Sequence, residues 1–74
     1  MNDLLNRIVN LMDSVEGSKG SPPTTIKVSY DVDRDIKLDL MQYATTDRFG
    51  NIRTVFGLEY FKEYYLPAGT VIVQ

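Results

Sequence analysis

Apolar and polar residues alternate along residues 25–44 on both sides of one short polar interruption. Ile26, Val28, Tyr30 and Val32 fall on one side of an extended chain, and after Asp33-Arg34-Asp35 the pattern resumes in phase at Ile36, Leu38 and Leu40. Period two is the mark of a half-buried strand, and a three-residue loop that sets Val32 opposite Ile36 lets both strands bury one face. The pattern predicts an antiparallel hairpin lying on a core, with Asp31, Asp33 and Asp35 gathered at its tip.

The same phase continues downstream. Asp47-Arg48-Phe49-Gly50-Asn51 reads as a turn, because Gly50 and Asn51 tolerate positive φ. A five-residue loop there sets Thr46 opposite Ile52, Ala44 opposite Thr54, Gln42 opposite Phe56 and Leu40 opposite Leu58, which carries the even-numbered face through a third strand to about Tyr60. Residues 58–66 fit two readings. The aromatic residues favour continued strand, whereas Leu58, Phe61 and Tyr65 also make one side of a short helix ended by Pro67. Strand is the preferred reading. After the turn Pro67-Ala68-Gly69, Thr70-Val71-Ile72-Val73 is a short, almost wholly apolar strand, either well buried or an edge that pairs with another chain.

At the other end of the chain the period changes to that of a helix. Leu4, Leu5, Ile8, Val9, Leu11, Met12 and Val15 make one broad stripe, with Asn2 or Asp3 placed to cap its start and Gly17 to end it. Residues 17–25 (GSKGSPPTT) form a linker, long enough for the helix to fold back over the sheet or onto a neighbouring copy. The expected architecture is α+β: an N-terminal amphipathic helix on one face of a three- to four-stranded antiparallel meander. One domain spans residues 1–74, with the helix at about 3–16, the linker at 17–25 and the sheet at about 26–74.

Composition narrows the chemistry. With no cysteine and no histidine there is no disulfide, no thiolate or imidazole ligand, and no His- or Cys-based catalysis. A core of 74 residues roughly cancels a chain entropy of about 1.5 kcal/mol per ordered residue, so self-association, most simply a homodimer, is expected to help. Eight Lys/Arg against ten Asp/Glu give a net charge of −2, so direct nucleic-acid binding is not expected. Met1-Asn2-Asp3 has no basic leader character and the first apolar stretch is interrupted by Asn6, Arg7, Asn10 and Asp13, so a cytoplasmic protein with no membrane association is expected.

Asp31, Asp33, Asp35 and Asp39 have the spacing of the first ligands of a calcium loop, but Ile36 stands where glycine is required and Gln42 where a bidentate glutamate is required. No metal is assigned. The same carboxylates at a hairpin tip suit a basic surface on a protein partner, or imitate phosphate spacing to block a nucleic-acid-binding protein, although Lys27, Arg34 and Lys37 dilute the field. Phe56, Tyr60, Phe61, Tyr64 and Tyr65 are dense for this length. Alternation turns Phe56 and Tyr60 inward and Phe61 and Tyr65 outward beside Val55, which is either core filling or a contact surface. With Arg48, Arg53 and Lys62 they also resemble a weak single-strand stacking platform, opposed by Glu59 and Glu63.

No nucleophile–base pair, phosphate loop or cofactor motif is present, so no catalytic residue and no cofactor is assigned. The expectation is a small non-enzymatic interaction module, an accessory factor or inhibitor that binds a larger protein through a sheet edge or outward aromatics. A virus- or phage-encoded regulator would fit that description. The candidate partner-binding residues are Phe61, Tyr64, Tyr65, Asp31, Asp33, Asp35, Val71 and Val73. The alternative is a nucleic-acid-associated protein, as an acidic mimic or a weak single-strand binder.

Overall fold

The computed structural model describes residues 3–74. Helix α1 spans Asp3–Lys19, with Asp3 in its first turn and Lys19 in its last, each charge complementing the nearby end of the helix dipole. Gly17 lies inside this helix. The left-handed residue that ends it is Gly20, with φ of 73° and its N–H on the Glu16 carbonyl at 2.9 Å. The linker is correspondingly shorter than its glycine content implied, and the capping role considered for Asn2 falls outside the described residues.

Strand β1 covers Thr25–Val28 and is followed after one residue by helix α2, Tyr30–Asp39. The hairpin expected over residues 25–44 is therefore not formed; its second half is a helix and a 3-10 turn, Met41–Tyr43. The cause is a degeneracy of spacing. Val32, Ile36 and Leu40 stand four residues apart, a step that keeps a residue on one side of a strand and on one side of a helix alike. Tyr30 and Leu38 decide between the two. A strand buries them with the others, and here Leu38 is 71% exposed while Val32, Ile36 and Leu40 are buried.

Strands β2 (Ala44–Thr46), β3 (Ile52–Val55), β4 (Leu58–Lys62) and β5 (Val71–Val73) complete a five-stranded sheet in the order β2-β3-β4-β1-β5. The sheet is mixed, not an antiparallel meander. β1 and β4 pair in parallel, Thr25 beside Glu59 through Val28 beside Lys62, and the other pairs are antiparallel. A parallel pair needs a crossover, which α2 supplies on the way from β1 to β2 at the far edge.

The turn at residues 47–51 forms as expected: Asp47 accepts hydrogen bonds from the amides of Phe49 and Asn51, and Gly50 has φ of 85°. Thr46 faces Ile52 as read from the sequence, but a bulge at Thr45/Thr46 moves the next pairs to Thr45–Thr54 and Ala44–Val55. The third strand does not run on to Tyr60. It breaks at a two-residue turn, Phe56-Gly57, where both residues have positive φ, as the tightest hairpins require. Phe56 leaves the sheet and stacks on Tyr43 with ring centroids 4.8 Å apart.

Ile26, Val28, Val55, Leu58, Val71 and Val73 project from one face of the sheet and share a core with Ile8 of α1 and Val32, Ile36 and Leu40 of the α2 segment. Both helices thus cover the same face. The other face, with Lys27 between Phe61 and Ile72 in register, carries no helix.

Candidate functional site

The concentration of polar chemistry lies where α2 crosses the end of β4. Ser29 follows β1 in an extended conformation, and its carbonyl accepts the Asp33 amide at 3.0 Å, which starts the helix. Its hydroxyl donates to Asp31 Oδ1 at 2.6 Å and accepts from the Thr70 amide at 3.2 Å. Asp31 also accepts the Gly69 amide on both carboxylate oxygens, at 3.0 and 2.9 Å. The start of α2 is thereby fastened to the turn before β5. The Ser29 hydroxyl and then the Gly69 amide hold the Asp31 carboxyl below its ordinary pKa, since they stabilise the charged form.

Two positions further on, Asp33 turns into the protein and is only 4% exposed. Tyr60, on the helix-covered face of β4, donates its hydroxyl hydrogen to Asp33 Oδ1. Asp33 Oδ2 lies 3.1 Å from Lys37 Nζ, one helical turn along, and 3.6 Å from Lys62 Nζ on β4. A buried carboxylate is tolerated when it is paired and hydrogen-bonded in this way. Burial first, and then the neighbouring Asp33 carboxylate, push the Tyr60 phenol well above its ordinary range, so the hydroxyl stays a donor.

Lys62 does more than pair with Asp33. Its ammonium sits 4.9 Å from the ring centroid of Tyr30 and 5.6 Å from that of Tyr64, and the two rings meet each other at 5.3 Å with a 38° tilt. Tyr30 and Tyr64 are nevertheless 58% and 75% exposed. Beside them a cavity of about 320 Å³ is lined by Tyr30, Asp33, Arg34, Lys37, Leu38 and Lys62. A smaller one of about 150 Å³, bounded by Asp33, Lys37, Asn51, Ile52, Tyr60 and Lys62, shares its three charged residues.

The eight residues singled out from the sequence are thus dispersed. Asp31, Asp33 and Asp35 lie on a helix and not at a hairpin tip, with Asp31 fastened to Gly69, Asp33 buried among lysines and Asp35 exposed. Asp33 is thereby separated from Asp31 and Asp35, which are both exposed one helical turn apart on α2, and among the described residues no group of three carboxylates converges on a metal position. Val71 and Val73 point into the core, which leaves β5 with its outer main-chain edge and with Ile72 on the helix-free face. Phe61 lies on the helix-free face, and Tyr64 and Tyr65 follow β4 in an exposed turn. Of the cations read as a stacking platform, Arg48 sits over Phe49 at 5.0 Å, while Lys62 belongs to the Tyr30–Tyr64 pair.

The sequence reading missed Tyr30, Arg34, Lys37 and Lys62 as one group, because only a helix at residues 30–39 sets them along the end of β4. Acids at Asp31 and Asp33 and a base at Lys37 follow the sign of a helix dipole, and that was the available signal. Among the described residues no helix is long and apolar enough to cross a membrane. No family model, curated protein or solved structure matches this chain.

Proposed function

We propose that this chain is a small non-enzymatic interaction module, an accessory factor or inhibitor, that docks a larger protein on the surface formed by Tyr30, Lys62 and Tyr64. One observation carries the reading: two largely exposed tyrosines, from α2 and from the turn after β4, are held ring against ring with a lysine ammonium beside both. Large amphipathic rings already fixed in place lose little side-chain entropy on binding, which is why tyrosine dominates contact hot spots. Tyr65, next to Tyr64 in the same turn, is a secondary contributor to the contact, whereas Phe61 lies on the opposite face of the sheet. A homodimer through the outer edge of β5 leaves this surface open.

The test is capture on the immobilised chain, identification of the retained protein by mass spectrometry, and a direct affinity measurement with the purified partner. Tyr64→Ala weakens that affinity at least tenfold, the effect of losing about 1.4 kcal/mol of contact. A partner held equally by the Tyr64→Ala and Tyr30→Ala chains refutes this surface. The alternative, a nucleic-acid-associated role, has one observation in its favour: aromatic rings beside a lysine also suit stacking of single-stranded bases. It requires salt-dependent binding of a single-stranded oligonucleotide that the same substitutions abolish.

A further inference from the structure

We infer that the groove between α2 and β4 receives a carboxylate side chain of the partner, so that the docking segment is acidic with an apolar neighbour. This rests on the interaction surface proposed above and adds the chemistry of what occupies it. The chain as a whole has more acids than bases, yet the cavity of about 320 Å³ is lined by three cations, Arg34, Lys37 and Lys62, against one carboxylate, Asp33. Each cation has capacity left. Arg34 is exposed and its guanidinium makes no ion pair or hydrogen bond among the described residues. Lys37 is half-exposed at its side chain. The Lys62 ammonium stands 3.6 Å from Asp33, beyond hydrogen-bonding distance, so its donors remain available to a further acceptor.

The arrangement also selects among anions. Asp33 stands on the groove wall within reach of both lysines, so it lowers the attraction for a dianion more than for a monoanion. At the start of α2 the Asp31 carboxylate, fastened to the Ser29 hydroxyl and the Gly69 amide, opposes a phosphate near the first-turn amides by like charge. Leu38 and Tyr30 flank the cations with apolar surface, which suits the methylene stem of glutamate and a leucine or tyrosine beside it. A carboxylate entering here meets Lys62 already positioned by two rings, which reduces the ordering cost of the contact.

The experiment titrates the isotope-labelled chain with a synthetic peptide alternating glutamate with leucine and tyrosine, at low ionic strength, following backbone amide shifts and, in parallel, fluorescence anisotropy of the labelled peptide. The expected result is saturable binding with shifts centred on Arg34, Lys37, Leu38 and Lys62, absent for the peptide with glutamine in place of glutamate, and weakened by added salt. Arg34→Gln, at an exposed position with no side-chain partner among the described residues, reduces affinity about tenfold while leaving the spectrum of the free chain folded. Lys37→Gln, at a half-exposed side chain, serves as the second variant and reduces affinity in the same way, with the free-chain spectrum checked for each variant.

Equal binding of the glutamine peptide, shifts mapping elsewhere, or an affinity indifferent to both variants overturns the inference. So does displacement of the peptide by equimolar inorganic phosphate or by oligo-thymidylate at the same residues. If a captured partner depends on Tyr30 and Tyr64 but not on Arg34 or Lys37, the interaction surface stands and its acidic ligand does not. If the partner depends on none of these residues, the surface itself has failed.

Discussion

Replacing Tyr60 with phenylalanine removes one oxygen from the junction of α2 and β4 and leaves the ring in place. The hydroxyl donates to Asp33, a carboxylate buried on α2, whose other oxygen retains Lys37 at 3.1 Å and Lys62 at 3.6 Å. A hydrogen bond to a charged group contributes about 1.5–3 kcal/mol. Because the two lysines still neutralise the carboxylate, the lower half of that range applies, about 2 kcal/mol. A core of this size supplies roughly 3–5 kcal/mol in total, so the substitution removes near half of it. In urea melts followed by circular dichroism at neutral pH, a slope of about 1 kcal/mol/M converts the loss to a midpoint shift of about 2 M.

Tyr65→Phe is the control, since Tyr65 is 74% exposed and its hydroxyl makes no hydrogen bond among the described residues; it stays within about 0.5 kcal/mol of the parent. The pH dependence adds a second reading of the same bond. The phenol of Tyr60 is raised in the folded state above its ordinary value of 10.0, so its contribution is fully present below pH 10 and is lost as the pH rises beyond it. The parent chain therefore loses stability in alkali more steeply than Tyr60→Phe does, while the lysines titrate in both. A midpoint shift under about 0.5 M with unchanged slope, or parallel alkaline limbs, would refute a buried Tyr60–Asp33 bond.

Other expectations follow from the same contacts. Asp31, held below its ordinary pKa by Ser29 and Gly69, contributes stability that is present above pH 3.8 and lost as the pH falls through its folded value; Asp31→Asn is less stable than the parent at neutral pH and has a flatter acid limb in thermal melts. Ile36→Ala, at a fully buried site, costs about 2–5 kcal/mol and unfolds much of the population, while Leu38→Ala on the open side of α2 changes stability by less than about 0.5 kcal/mol. Equal losses at the two sites would restore the strand reading. Gly57→Ala costs about 1 kcal/mol, read as a lower melting temperature, because φ of 77° is disfavoured for alanine and no neighbouring atom clashes with the added carbon.

The parts of the fold that the sequence conveyed are those set by local chemistry. The stripe Leu4 to Val15 gave α1, Asp47 to Asn51 gave a turn, and the pairing of Thr46 with Ile52 followed from that turn's length. Residues 30–40 misled because four-residue spacing satisfies both periods, and the exposed Leu38 completed a false alternation. Phe56-Gly57 escaped notice as a hairpin because phenylalanine rarely accepts φ of 53°; here stacking on Tyr43 accompanies it. The parallel pairing of β1 with β4 depends on contacts more than 30 residues apart in sequence, such as Thr25 with Glu59, and no local pattern specifies it. The site inherits these difficulties. Tyr64 was picked out for its exposure-prone chemistry, but its partners Tyr30 and Lys62 meet it only through the crossover.

Everything proposed for function depends on α2 presenting Asp33, Arg34 and Lys37 to the end of β4. Backbone and side-chain NMR of the isotope-labelled chain tests that placement most directly. The account predicts helical Cα shifts throughout Tyr30–Asp39 and nuclear Overhauser contacts from the Tyr60 ring to the Asp33 methylene and from the Tyr64 ring to Tyr30. Extended-chain shifts over these residues, with cross-strand contacts between Val32 and Ile36, would contradict it and dissolve the groove.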